Sequence, residues 1–341
     1  MGDTETVMDT TLSIHRPGEM PRLYQIADTV TGVRIINGGR ITSLHLPPLP
    51  PQVKTLIIEN HRVEEPLRFE EGLETLELRN ITVVGSMANW IFPASLQRIK
   101  IGNWNQDLDL RTVTAPTITL FRSGGASYQV RLPEALDDLV INGRSALGGV
   151  QFPPYLRKLS LGATSNLPGL SQVSPSVIDL SLNSSMIAFD FDLAFPELEV
   201  LKLRDYAPVG VASLRLSRLR ELTLAANIGD RPLVIDCPEL ESLLVAGTAW
   251  AEPDLSAPGS SFGQTLTRLE LKLVSKFPAA REWERLTSLA VSNSEVELPF
   301  IRWLDELVTD RPLLTNGVMV ETLDEYKQAW GFTKTAKRAQ F

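Results

Sequence analysis

The chain repeats one pattern of apolar and polar positions. In residues 219–227, LRELTLAAN, leucines occupy the first, fourth and sixth places, and polar residues separate most of them. Alternation of this kind is typical of a β-strand with one buried face. Six successive copies start 20 or 21 residues apart, which indicates a repeat protein. Twelve copies align, starting at residues 53, 73, 96, 115, 136, 156, 177, 198, 219, 240, 266 and 286.

The segments between the copies predict short strands and turns. Many contain a proline shortly before the next leucine, as in FPASL, LPEAL and FPPYL, and proline disfavours a helix. Residues 107–113 and 232–236 alternate or cluster as short strands do. The longer interval from 240 to 266 contains DLSAPGSS and indicates a loop insertion. We therefore expect stacked turns of chain, each with one long and one short strand and its leucines inside.

The motif L-x-x-L-x-L-x-x-N of residues 219–227 resembles that of the leucine-rich repeat family. The resemblance implies a solenoid with a parallel β-sheet on its concave face and, in this chain, short strands and turns on its convex face. The proline-containing units are similar to short repeats of the FNIP type, although the Phe-Asn-Ile-Pro signature is absent. Only Asn227 occupies the ninth place as asparagine, which argues against a continuous asparagine ladder. In six of the other copies the ninth place holds His61, Ser123, Thr164, Ser185, Thr248 or Ser294.

Both ends of a solenoid need caps. Apolar residues at helical spacing predict a helix in residues 299–308, and Thr-x-x-Glu at the start of TLDEYKQAW predicts a capped helix in 322–330. We expect residues 21–46 to form strands with a turn at Gly38–Gly39. The predicted segments are a disordered stretch (1–20), an N-terminal cap (21–52), the repeat array (53–297), a small helical C-terminal cap (298–332) and a basic tail (333–341).

The composition excludes several classes of function. A net charge of −8 disfavours nucleic acids and anionic membranes as partners. The one cysteine cannot form an internal disulfide bond. The sequence shows no secretory signal and no apolar run long enough to span a membrane. We therefore expect an intracellular protein, cytoplasmic or nuclear.

A search for catalytic residues favours a protein that is not an enzyme. His15, His45 and His61 have no neighbouring metal ligands at suitable spacing, so we expect no metal and no cofactor. Asp190 and Asp192 alternate with apolar residues as exposed strand positions do, and Cys237 fits a small packing residue.

The resemblance implies that a partner docks on the concave sheet, whose exposed positions are the third, fifth and seventh of each copy. These positions hold eight basic and six acidic residues, a net charge of +2 on a chain of −8. Cross-strand pairing with Asp179 and Glu221 is an alternative explanation for the basic residues near 202. The candidate partner-binding residues are Arg79, Arg98, Lys100, Phe121, Val140, Lys202 and Arg204.

The pattern favours a protein-interaction module or scaffold whose partner is another protein, bound through an acidic segment. The alternative is a structural component that assembles with itself or within a larger shell. A ubiquitin-ligase substrate adaptor ranks lower, because residues 1–52 do not predict the helical docking domain that such adaptors need. The convex strands and the C-terminal cap stay open as alternative interfaces.

Overall fold

The computed structural model describes residues 10–14, 29–37, 42–44, 46, 48–104, 106–122, 128–143, 149–162, 173–183, 194–204, 213–225, 234–247, 264–273, 283, 285–294, 297–298 and 301–330. The chain forms two compact units, residues 1–177 and 178–341, and each is described by itself.

The described residues of the first unit form fourteen strands and one short 3-10 helix, Met87–Asn89. The strands are β1 (Thr10–Ile14), β2 (Val30–Ile36), β3 (Thr42–Ser43), β4 (Thr55–Glu59), β5 (His61–Val63), β6 (Thr75–Arg79), β7 (Thr82–Val83), β8 (Arg98–Gly102), β9 (Leu108–Asp109), β10 (Thr117–Arg122), β11 (Val130–Arg131), β12 (Asp138–Gly143), β13 (Val150–Gln151) and β14 (Lys158–Leu161).

The long strands of this unit form one parallel main sheet in the order β1-β2-β4-β6-β8-β10-β12-β14. The short strands between them form two parallel back sheets, β3-β5-β7 and β9-β11-β13. The chain thus alternates between a long front strand and a short back strand, which defines a parallel β-solenoid and confirms the predicted fold class.

The second unit repeats this arrangement. Its main sheet runs in the order β15-β16-β18-β20-β21-β22-β24, its parallel back pair is β17-β19, and a mixed sheet has the order β23-β25-β26. Its elements are β15 (Asp179–Asn183), β16 (Val200–Arg204), β17 (Ser213–Arg215), β18 (Glu221–Ala225), β19 (Val234–Asp236), β20 (Ser242–Ala246), β21 (Arg268–Lys272), β22 (Ser288–Ser292), β23 (Glu297–Leu298), β24 (Glu306–Thr309), β25 (Leu313–Thr315), β26 (Val318–Val320) and α1 (Leu323–Ala329).

The apolar triads form the core. In all twelve copies the first, fourth and sixth residues are at most 3% exposed, and Leu219, Leu222 and Leu224 are typical. Strands of the main sheets alternate between buried and half-buried residues because successive side chains point to opposite faces. The exposed side chains of the third, fifth and seventh places form what we call the sheet face of each unit.

The prolines before the triads belong to a recurring tight turn. The amide of Leu96 donates to the carbonyl of Pro93 at 3.2 Å, and that of Leu136 donates to Pro133 at 3.3 Å. Cys237 fills the same place ahead of Leu240, at 3.1 Å, and it is fully buried. A turn that closes over four residues leaves no room for a helix on the back of the repeat, as the prolines indicate.

An asparagine ladder is present, contrary to our expectation, and it runs through the eighth place instead of the ninth. Nδ2 of Asn80 donates to Oδ1 of Asn60 at 3.0 Å, and Nδ2 of Asn103 donates to Oδ1 of Asn80 at 2.7 Å. Nδ2 of Asn60 donates to the carbonyl of Asn37 at 3.4 Å. The backbone φ is 62° at Asn60, 51° at Asn80 and 54° at Asn103, in the left-handed region that asparagine tolerates. Asn227, the ninth-place residue, lies outside the described residues.

The main sheet begins before the predicted array. A further triad consists of Val30, Val33 and Ile35, which are buried. The sequence pattern did not reveal this copy because valine occupies two of its leucine places. Strand β2 pairs in parallel with β4 and also with β1, which lies in the stretch expected to be disordered. The predicted turn at Gly38–Gly39 lies outside the described residues.

The helix predicted in residues 299–308 is wrong over its described part, which contains a turn and strand β24. Ile301 and Leu304 are buried, as a helix would also require. Leu304, Leu307 and Thr309 have the spacing of a triad, and β24 extends the main sheet beside β22. The one-four spacing of this repeat equals a helical spacing, so the pattern alone could not separate them.

Helix α1 confirms the second cap prediction. Thr322 and Glu325 form a reciprocal capping box at its start. Tyr326 is buried, and its hydroxyl accepts a hydrogen bond from the Ile301 amide at 2.6 Å. Burial raises the pKa of Tyr326 to about 12, although this hydrogen bond acts in the opposite direction.

The asparagine ladder should stabilise the fold in two ways, through its side-chain hydrogen bonds and through the positive φ that asparagine tolerates. We expect Asn80→Gly to lower the free energy of unfolding by about 1 kcal/mol, because it removes two exposed hydrogen bonds. Asn80→Ala should cost about 1 kcal/mol more, because alanine resists a positive φ. Urea denaturation measures both. Equal stability of the alanine and glycine variants would contradict the conformational part.

Tyr326 should make the second unit sensitive to alkaline pH. The hydroxyl ionises near its ordinary pKa of 10 in the unfolded chain but near 12 in the folded one, so unfolding releases a proton between these values. Stability from this group is therefore full below pH 10 and is lost as pH rises toward 12. Chemical denaturation across this range should show a smaller pH-dependent loss for Tyr326→Phe than for the wild type. Identical slopes would refute the assignment.

Candidate functional site

The pairing register places the candidate residues of the first unit in rows across the sheet face. Arg79, Gly102 and Phe121 lie side by side in the row of seventh places. Glu77 and Lys100 are neighbours in the row of fifth places, followed by Thr119 and Val140. Since neighbouring strands are about 4.8 Å apart, each row brings residues of distant sequence together.

Arg79, Lys100 and Phe121 surround a depression of about 270 Å³ on this face, which we call the Gly102 pocket. The ring of Phe121 is 47% exposed, so an apolar surface faces the depression. The pocket is lined by Glu77, Arg79, Asn80, Lys100, Ile101, Gly102, Asn103, Thr119 and Phe121.

The pocket exists because glycine interrupts the seventh-place row. A Cβ atom on Gly102 would lie 3.7 Å from the Leu78 carbonyl oxygen and 3.9 Å from Cδ1 of Phe121, which are ordinary contacts. Gly162, also in a seventh place, differs, because its Cβ would lie 2.5 Å from Oδ1 of Asn142. A side chain at 162 would therefore displace the side chain of Asn142, whereas Gly102 leaves space that no neighbouring side chain fills.

Arg79 is held in an ion-pair network. Its Nε donates to Oε1 of Glu77 at 2.8 Å, and Nη1 lies 3.9 Å from Oε2 of Glu59, which also pairs with Arg34 at 2.7 Å. The hydrogen bond from Arg79 to Glu77 raises the pKa of Arg79, with a further contribution from the charge of Glu59. These contacts fix the guanidinium at one wall of the pocket.

Arg98 and Lys100 form no salt bridge with any described carboxylate. Glu77 is the register neighbour of Lys100, yet its carboxylate pairs with Arg79 instead. Lys100 therefore brings a positive charge to the pocket that the described part of the fold does not neutralise.

Two of the candidate residues, Arg98 and Val140, lie away from the pocket. Arg98 is in the third-place row beside Thr75 and Thr117. The third and seventh places are four residues apart along a strand, so about 13 Å separates the row of Arg98 from the row of Arg79. Val140 lies in β12, one strand beyond Phe121 in β10, and its register neighbours are Thr119 and Ser160. Arg79, Lys100 and Phe121 are thus the candidates that the structure brings together.

The second basic pair, Lys202 and Arg204, occupies the fifth and seventh places of β16 in the second unit. Asp179 and Glu221 flank Val200 in the register, whereas Lys202 lies between Ser181 and Thr223. Within the described part of the chain, neither cation forms a salt bridge, so the cross-strand pairing that we considered is not seen there.

Sequence reasoning missed the residues that shape the pocket. Gly102 is one of the exposed seventh places but was not among the candidate residues, although a glycine inside a strand often marks a close approach of another molecule. Asn80 and Asn103 were missed because we searched the ninth place; the recurrence of asparagine at 37, 60, 80 and 103 was the available signal. Glu77 was read as one more surface charge.

A second depression, of about 340 Å³, lies on the back of the first unit. It contains Asp109, whose pKa is lowered mainly by its hydrogen bond with Arg111. Asp107 accepts a hydrogen bond from the Gln129 amide at 2.8 Å. These carboxylates are engaged within the chain.

The described residues contain no group of three metal-binding side chains. Of the residues considered for chemistry, His61 and Cys237 are buried. His15, His45, Asp190 and Asp192 lie outside the described residues. No helix in the described part of the chain has the length and apolar character to cross a membrane.

The geometry defines a class of protein, the parallel β-solenoid. Comparison with known proteins shows which type of solenoid it is. No family profile matches the chain, and no curated protein does. The crystal structure of CroV588, titled a novel circular LRR protein structure, aligns with a TM-score of 0.51 and 11% identity over 92% of this chain and 63% of its own. YopM from Yersinia enterocolitica WA-314 aligns with a TM-score of 0.34 and 17% identity over 82% of this chain and 68% of its own.

The chain therefore has the leucine-rich repeat fold, as the motif predicted. It spans less than two thirds of the CroV588 chain, and at this identity the likeness concerns the fold alone.

The contacts of Arg79 and Arg98 predict different effects on stability. Arg79→Gln should lower the free energy of unfolding by about 1 kcal/mol, because it leaves Glu77 and Glu59 without their shared partner. Arg98→Gln should change it by less than about 0.5 kcal/mol. The loss caused by Arg79→Gln should shrink at high salt, since ions screen exposed pairs. Urea denaturation at two salt concentrations tests this, and equal losses for the two variants would contradict it.

Proposed function

We propose that this protein is a non-enzymatic interaction module that binds an acidic segment of another protein on the sheet face. The observation that carries the proposal is the set of cations on this face that form no salt bridge with described carboxylates. Arg98 and Lys100 lie in the first unit, and Lys202 and Arg204 lie in the second. The third, fifth and seventh places of the copies hold eight basic and six acidic residues, a net charge of +2 on a chain of −8.

The form of the surface favours a protein segment as the ligand. The sheet face of each unit presents parallel rows of side chains that cross several strands, so one extended segment can contact many of them. The Gly102 pocket, about 270 Å³, lies at the lower end of the range of about 300–1,000 Å³ typical of sites for whole small molecules. Pocket and rows together suit a segment with an anchoring side chain.

The charge balance favours carboxylates over a phosphate backbone. A nucleic acid would meet the repulsion of the whole chain at −8. A short acidic segment would respond mainly to the local field of Lys100 and its neighbours, because charges beyond about 10 Å are screened at physiological salt.

A structural, self-assembling component is the second candidate, favoured by an apolar surface near the C-terminus. Trp303, Val308, Val318 and Met319 are each about half exposed. Exposed apolar patches often mark interfaces. This candidate would use the region of β24–β26 and not the cations of the sheet face.

Affinity capture with paired variants tests the proposal. The wild type is compared with Arg98→Gln/Lys100→Gln and with Lys202→Gln/Arg204→Gln in quantitative mass spectrometry of lysate captures. The control, Arg68→Gln/Arg215→Gln, removes the same charge from exposed positions outside the sheet face. The acidic segment of the captured protein is then synthesised, and its affinity is measured at low and high salt.

We expect one of the sheet-face variants to lose the partner, with binding weakened about ten-fold and the control unchanged. Binding of the isolated acidic segment should weaken as salt increases. Capture that is equal in all variants would overturn the proposal. Recovery of this chain alone, together with a concentration-dependent mass in light scattering, would instead favour the self-assembling candidate.

A further inference from the structure

We infer that the Gly102 pocket is an anchor site for one aromatic side chain of the bound segment, with a carboxylate beside it on Lys100. This inference rests on the proposed function and specifies its ligand. It assigns different tasks to Phe121, Arg79 and Lys100.

The dimensions suit a flat ring. Arg79 and Phe121 lie on either side of Gly102, two strand spacings apart, or about 10 Å. The space between them is open because Gly102 has no side chain there. A volume of about 270 Å³ holds one large side chain with its near backbone.

The two walls favour an aromatic occupant over an aliphatic one. Phe121 presents a half-exposed ring, and aromatic pairs gain about 0.5–1.5 kcal/mol beyond the burial of their area. Arg79 supplies a planar guanidinium, which stacks on aromatic faces. Glu77 and Glu59 hold this guanidinium in place before a ligand binds. Binding therefore costs little conformational entropy of the Arg79 side chain.

Lys100 selects the charge of the neighbouring ligand residue. It lines the same pocket and forms no salt bridge with the described carboxylates. A carboxylate placed next to the aromatic residue would pair with it at the edge of a partly apolar site, where such a contact is less screened than in open solvent.

The backbone at the pocket is fixed by the ladder. The Asn80 amide donates to the Gly102 carbonyl at 2.9 Å, and the Asn103 amide donates to the Phe121 carbonyl at 2.8 Å. With the side-chain bond between Asn80 and Asn103, these contacts hold one edge of the pocket rigid. The site therefore needs no rearrangement of its described backbone to receive a ligand.

The test fills the pocket and follows the peptides that the protein selects. A random peptide library displayed on phage is panned on the wild type, and enriched peptides are synthesised for calorimetric titration. Gly102→Leu fills the pocket, and its Cβ makes only ordinary contacts. Ala246→Leu is the matched control, since it places the same side chain in a seventh place of another unit. Circular dichroism establishes that each variant is folded, and Gly102→Ala provides a smaller change if Gly102→Leu does not fold.

We expect enriched peptides to contain a tryptophan, tyrosine or phenylalanine next to an aspartate or glutamate. Replacing the aromatic residue by alanine, or using Gly102→Leu, should weaken binding at least about ten-fold. Gly102→Ala should weaken it less, Lys100→Gln should weaken it and reduce its salt dependence, and Ala246→Leu should leave it unchanged.

Three outcomes would overturn the inference. The first is enrichment of peptides without an aromatic residue, and the second is binding to Gly102→Leu as tight as to the wild type. The third is binding of N-acetyltryptophan as tight as that of the peptides, which would indicate a small-molecule site. If acidic peptides without an aromatic residue bind the wild type and lose affinity for Arg98→Gln/Lys100→Gln, the anchor fails while the proposed function stands.

Discussion

The structure depends on the fact that one turn of this chain cannot bury its own apolar triad. Leu222 and Leu224 are fully buried only because the triads of neighbouring turns pack against them in register. The alternation of the strand then forces the third, fifth and seventh places outward. The core and the sheet face therefore follow from one constraint, since a shift in register by one residue would exchange them.

A second constraint acts on the backbone conformation at the eighth place of each copy. There the chain turns from the long strand of the main sheet toward the short strand of the back sheet. Asn60, Asn80 and Asn103 adopt positive φ, and so does Gly143 in the same place of a later copy. In the intervening copy Arg122 fills this place, buried beside the rings of Tyr128 and Trp104 at 4.2 and 5.6 Å. The ladder thus ends at Asn103, at the edge of the Gly102 pocket.

The sequence was sufficient for the fold because its signal is repeated in every turn, so single irregular copies did not matter. It was insufficient at the ends, where Val30 and Val33 replaced leucines and where Ile301 and Leu304 have a spacing shared by a helix and this repeat. For the site, it identified the row positions of Arg79, Lys100 and Phe121. It could not show that Glu77 binds Arg79 instead of Lys100, because that choice depends on side-chain directions across two strands.

The two seventh-place glycines differ in their surroundings. A Cβ on Gly162 would lie 2.5 Å from Oδ1 of Asn142, so that side chain would have to move, whereas a Cβ on Gly102 would make only ordinary contacts. Glycine inside a strand is destabilising by about 0.5–1 kcal/mol relative to alanine. The fold would gain stability from a side chain at 102, so its own packing does not account for the glycine there. The close approach of a ligand that we propose between Arg79 and Phe121 would account for it.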